Sequence, residues 1–190
     1  NSSYSFKTTL VLDSNIEETV FMGDHNISFF ITTTNFTNFT NNFVNGSLLY
    51  AYYIQDSENN TFNSNRVENS SFAWMLDDSY YNLIYNNYIN ASTLVFDNNT
   101  NYWNTTYSCE GTNILGGDCI GGNYWADNYS GTDNGNGSYP YNTSVDGIGD
   151  NEVPYYSSGG INSTFGFGDA LPLVIVPAAC GTISSSITLT

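Results

Sequence analysis

Between residues 21 and 98 the apolar side chains recur at a step of 22 to 23 residues. Phe21, Val44, Val67 and Ile89 form one column; Phe29, Tyr52, Trp74 and Phe96 form a second. Ile31, Ile54 and Leu76 make a third, and Phe39, Phe62 and Ile84 a fourth. The second and third columns stand two residues apart, the spacing that puts both side chains on one face of a strand. Asn-rich punctuation separates the columns: Asn41-Asn42, then Asn59-Asn60 through Asn63 and Asn65, then Asn86-Asn87. Asn tolerates left-handed backbone better than other residues with a side chain, so these positions read as turns.

A unit of this length with several short strands and no helical segment predicts one coil of a parallel β-solenoid, which buries its apolar face by stacking on its neighbours. Leucine-rich repeats share the period, but these units are poor in Leu, and their Asn, Ser, Thr and aromatic residues form helices poorly. Stacking places like residues about 4.8 Å apart, which suits aromatic stacks inside and Asn ladders at corners. The expected organisation is an N-terminal strand or cap over 1–20, coils over 21–108, a Gly/Asn/Asp-rich closing module over 109–176 and a terminal strand over 177–190. Thr9 to Leu12 reads as the first strand, either capping the stack or pairing with another subunit.

Charge narrows the class of partner. Two basic residues, Lys7 and Arg66, face eighteen acidic ones, for a net charge of −16. Nucleic acid and anionic membrane surfaces are therefore poor partners, and cations are good ones. Charged residues are only 11% of the chain and aromatics 16%, so this is not an acidic disordered tail. No apolar run is long enough to span a bilayer, and the chain reads as mature and secreted. Fourteen N-glycosylation sequons fit that compartment: Asn1, Asn26, Asn35, Asn38, Asn45, Asn59, Asn69, Asn90, Asn98, Asn104, Asn128, Asn136, Asn142 and Asn162. Cys109 and Cys119, close together among glycines, predict a local disulfide. Cys180 is left as a buried thiol or a link to another chain.

From Asn101 onward the text changes character: Asn101-Tyr102-Trp103-Asn104, Gly121-Gly122-Asn123-Tyr124-Trp125-Ala126-Asp127, Gly131-Thr132-Asp133, Asp146-Gly147-Ile148-Gly149-Asp150 running on to Pro154-Tyr155, and Asp169-Ala170-Leu171-Pro172-Leu173. With the coil Asn82 to Tyr88 before them, these motifs resemble the C-terminal end of the NosD-like surface proteins of archaea. That resemblance implies a right-handed parallel β-helix; handedness does not follow from the repeat itself. One departure is the interruption of the acidic loop by Asn134 to Val145.

Three kinds of chemistry come into question: cation binding, catalysis by a lyase or a hydrolase, and sugar binding. Asp127, Asp133, Asn136, Asp146 and Asp150 are hard oxygen donors among glycines, as Ca²⁺ requires; turn formation explains them as well. A lyase needs a base, and Arg66 is the one realistic candidate, since the lone His25 reads as a turn residue. Hydrolysis needs paired carboxylates, and Asp56 and Asp78 fall one coil apart with no third acid in step. Sugar binding would use Tyr80, Tyr81 and Tyr85 as stacking platforms. Ile183, Ser185, Ile187 and Leu189 alternate with polar residues, predicting a tail strand that folds back or adds to a neighbouring subunit. The expectation is an all-β, extracellular, glycosylated, non-enzymatic structural protein that assembles with copies of itself; a carbohydrate-binding or adhesive module recognising cell-surface glycans is the alternative.

Overall fold

The computed structural model describes residues 4–9, 11–97, 99–126, 128–135, 145–151, 155–156 and 168–175. Twelve strands and no helix occur among them. β1 (Tyr4–Thr9), β4 (Ile27–Thr32), β7 (Tyr50–Gln55) and the second halves of β9 (Arg66–Asp77) and β11 (Tyr88–Asp97) stack in parallel as one face. A second face holds β2 (Asn15–Glu17), β5 (Asn38–Thr40), β8 (Thr61–Asn63) and β10 (Leu83–Tyr85). The third holds β3 (Val20–Met22), β6 (Phe43–Asn45), the starts of β9 and β11, and β12 (Tyr124–Trp125). The fold is a β-solenoid.

The columns are its inside. Phe21 stacks on Val44, Val67, Ile89 and then Trp125, and Phe39 on Phe62. Phe29, Tyr52 and Trp74 stack almost parallel at 4.7 and 4.8 Å between centroids. Such pairs add about 0.5–1.5 kcal/mol each beyond their area burial. Phe96 does not continue this column. A register shift between Ile89 and Ala91 sets Val95 on Trp74 and turns Phe96 outward onto Met75. Val95 is smaller, and the Trp103 ring meets Trp74 edge-on at 6.5 Å.

The stack also begins earlier than the expected cap. The first strand is Tyr4–Thr9 rather than Thr9 to Leu12, and it pairs with β4 in the coil register, Phe6 over Phe29 and Thr8 over Ile31. Residues 4 to 22 are thus the first coil. Corners use left-handed backbone in stacked positions: Thr33, Asp56 and Asp78; Phe36, Asn59 and Tyr81; Glu18, Asn41, Ser64 and Asn86.

Candidate functional site

Two ladders of buried Asn run inside the solenoid. In the first, the Asn42 Nδ2 donates to Asn65 Oδ1, Asn65 to Asn87 and Asn87 to Asn123, at 2.9 to 3.0 Å. Each of these Asn also donates its other Nδ2 hydrogen to a backbone carbonyl, Phe39, Phe62 and Ile84 among the acceptors. The second ladder runs Asn60, Asn82, Asn101. Every rung accepts from the coil before it and donates to the coil after it, so the last rung needs an acceptor outside the ladder. A carboxyl oxygen meets that need. The Asn101 Nδ2 donates to Asp97 Oδ1 at 2.9 Å, and the Asn123 backbone N–H donates to Asp169 Oδ2 at 2.7 Å, with the Asn123 Nδ2 3.5 Å from the same oxygen.

Each terminal carboxylate also takes an indole N–H. Trp103 Nε1 donates to Asp97 at 2.8 Å and Trp125 Nε1 to Asp169 at 2.7 Å. The tripeptide Asn-Tyr-Trp therefore occurs twice with one job: its Asn ends a ladder and its Trp holds the ending carboxylate. Burial pushes the Asp169 carboxyl up to about 7 against four lowering N–H contacts, and raises Asp97 against its own donors. Gly121 and Gly122 are required here, because a Cβ on Gly122 would overlap the Asp169 carboxylate and one on Gly121 would stand 2.6 Å from Leu171 Cβ.

Among the described residues β1, β2 and β3 each pair on one side only. Phe6, Ile16 and Phe21 are half-buried, whereas Phe29, Phe39 and Val44 beneath them are fully buried. Leu12 is 52% exposed and Val20 and Met22 59% each. Ser14 donates its hydroxyl to Leu12 O, and Thr19 to Glu17 O. Inner rungs do the same: Ser57 donates to Gln55 O and also accepts the Thr34 N–H from the previous coil.

Below the closed end lies the acidic loop. Asp127 and Asn136 are outside the described residues; Asp133, Asp146 and Asp150 come together. Asp133 Oδ2 accepts the Asp146 and Gly147 amides at 2.8 and 2.6 Å, and Asp150 Oδ2 accepts the Asn134 amide at 2.9 Å. Burial and then the neighbouring Asp146 and Asp150 charges raise the Asp133 carboxyl, partly offset by its two amide donors. Tyr107 ties this loop to the Cys109–Cys119 disulfide: its hydroxyl donates to Asp146 Oδ2 at 2.7 Å and lies 2.9 Å from Cys109 Sγ. Among the described residues no three or more His, Cys, Asp or Glu side chains stand as a metal-holding group.

The other candidates have local explanations. Arg66 pairs with Glu68 and stacks 3.8 Å over Tyr88. Asp56 and Asp78 occupy the same left-handed corner position as Thr33. His25 sits in a turn, its amide donating to Gly23 O. Tyr81 is half-exposed at a corner, 6.3 Å from Tyr80, and Tyr85 faces outward from β10. Of the sequon residues described, Asn26, Asn38, Asn59, Asn69 and Asn128 are exposed and Asn35, Asn45, Asn90 and Asn104 half-buried; Asn1, Asn98, Asn136, Asn142, Asn162 and Cys180 fall outside the described residues. No ladder Asn is a sequon, because the residue two places on is a core side chain such as Val44, Val67 or Trp125.

Residues 3–131 match one protein family, described as periplasmic copper-binding protein (NosD). The chain belongs to the NosD family. No curated protein and no solved structure matches it. The NosD match spans the coils and ends before the Asp146–Tyr155 and Asp169–Leu173 motifs. Copper sites are built from imidazole, thiolate and thioether donors. This NosD-family chain has one histidine, two methionines and three cysteines, two of which are joined as a disulfide. Met22 lies on the third face and Met75 on the outside of the first, so the donors do not converge and the described residues do not fit copper. Among them no helix is long and apolar enough to cross a membrane.

Proposed function

We propose that this NosD-family chain is an extracellular, non-catalytic structural protein of a cell surface that assembles with copies of itself into a filament or surface layer. The observation that carries this reading is the surface of the first described coil: among the described residues β1, β2 and β3 carry no strand on their outer side, and half-covered apolar columns lie beside hydroxyl oxygens able to accept N–H groups, whereas carboxylates terminate both Asn ladders. An open edge of this kind binds a further strand. The occupant in this reading is the alternating segment 183–190 of a neighbouring copy, a segment outside the described residues, laid along β1. Such head-to-tail contacts do not close on themselves and so propagate. Two first coils facing each other would instead oppose Asp13, Glu17, Glu18 and Asp24 of both copies.

Calcium belongs to this reading as a brace of the loop at Asp127, Asp133, Asn136, Asp146 and Asp150, and N-glycans at the surface sequons as its coat. The carbohydrate-binding alternative is favoured by the half-exposed Tyr81 beside Tyr80. Deletion separates the two readings: removing residues 178–190, or the first dozen, abolishes oligomers on size exclusion if the chain assembles by its ends. A lone sugar-binding module would elute unchanged and keep its affinity for glycans.

A further inference from the structure

The three outer faces of the solenoid are not alike. The second presents Asn38, Thr40, Thr61 and Asn63 to solvent, a polar surface. The first presents Ile27, Tyr50 and Phe72 in one outward column and Phe30, Tyr53 and Met75 in the next. Phe30 and Tyr53 stack at 5.3 Å and 9°, and Tyr50 lies 5.2 Å from Phe72. The ring faces are thus turned toward one another along the stack, which suits packing against another apolar sheet better than stacking on sugars.

Charge and modification single out the same face. On a chain of net charge −16, β4, β7 and the Phe72 to Asp77 part of β9 carry one formal charge, Asp77, and β1 carries Lys7. Lys7 lies 5.3 Å over the Phe30 ring in the first coil, and Asp77 accepts the Tyr53 hydroxyl at 3.0 Å in the fourth. None of the surface sequons among the described residues falls within Ile27–Thr32, Tyr50–Gln55 or the Phe72 to Asp77 segment. Asn26, Asn45, Asn69 and Asn90 line one flank instead, and Asn35 and Asn59 the other.

We infer that the outer face of the first sheet is a pairing surface for a second copy of this chain. A two-fold axis between Phe30 and Tyr53 sets the faces antiparallel, with each Lys7 opposite the partner's Asp77 and the acidic remainder of both molecules outside the contact. This lateral contact goes beyond end-to-end assembly and does not depend on it.

Lys7 is the sole lysine, which makes the test direct. Within one chain Lys7 and Asp77 are three rungs apart, about 14 Å, beyond the reach of a zero-length carbodiimide link. Full-length protein, mixed with a heavy-isotope-labelled copy, is cross-linked and mapped by mass spectrometry. Pairing predicts mixed-isotope dimers joined Lys7 to Asp77, and their loss in the outward-facing variant Met75→Glu. Links from Lys7 to Asp13, Glu17 or Glu18 alone, an absence of dimers, or a Met75→Glu variant that cross-links as well as wild type would overturn the inference. Loss of filaments on deleting 178–190 with the Lys7–Asp77 link retained would leave pairing intact; the converse result would leave end-to-end assembly intact.

Discussion

At the scale of single residues, Asn65 illustrates how much one side chain holds. It accepts from Asn42, donates to Asn87 and to Phe39 O, and is fully buried. Asn65→Ala leaves buried donors on one side and acceptors on the other, and is expected to destabilise by about 2–4 kcal/mol in denaturant titration. Asp169 makes stability depend on pH. Its folded carboxyl lies at about 7, above the ordinary 3.8, so the protonated form is favoured by folding. Its contribution is full below about pH 4 and is lost as pH rises through 7. Asp97 shifts in the same direction. Thermal midpoints should therefore fall between pH 5 and pH 8, and fall less in Asp169→Asn. The Asn pairs were legible as corners, but only half of each reading was right: Asn41, Asn59 and Asn86 are left-handed turns, while Asn42, Asn60 and Asn87 point inward. The inward members stand two residues before a core position, a signal present in the chain and masked by the doublets.

At the scale of elements, the columns were readable because each coil repeats the same inward positions, and that is why Phe39, Phe62 and Ile84 stack as expected. The fifth coil was misread at Phe96 because the bulge after Ile89 deletes one step of the period, and a local register slip leaves no mark on composition. Asp169 was visible only as part of a motif; its role depends on Asn123 and Trp125, more than forty residues away. Gly122→Ala forces that carboxylate out of its place. It should cost about 2–4 kcal/mol and expose residues 168–175 to hydrogen exchange, leaving the early coils protected. The Cys109–Cys119 bridge closes a short loop, so the double Ser variant should lose about 2–3 kcal/mol in chemical denaturation.

At the scale of the whole molecule, composition made nucleic acid a poor partner and pointed to an extracellular protein, and the repeat pointed to a solenoid. Neither indicated where the ladders stop, because ladder direction is set by hydrogen-bond donors and acceptors in three dimensions. The closing carboxylates are Asp97 and Asp169, and among the described residues β1, β2 and β3 pair on one side. The copper ligands suggested by the NosD description do not converge here, while the surface sequons and the neutral first face fit a chain made to meet copies of itself. Calcium chelation tests the acidic loop in the same preparation: shorter or dissolved assemblies place the ion in assembly. The most direct measurement is negative-stain imaging of the intact protein alongside the variant lacking residues 178–190. Long regular fibres or sheets from the intact chain, and none from the variant, are the predicted result; a monodisperse particle of one or two chains in both samples would contradict it.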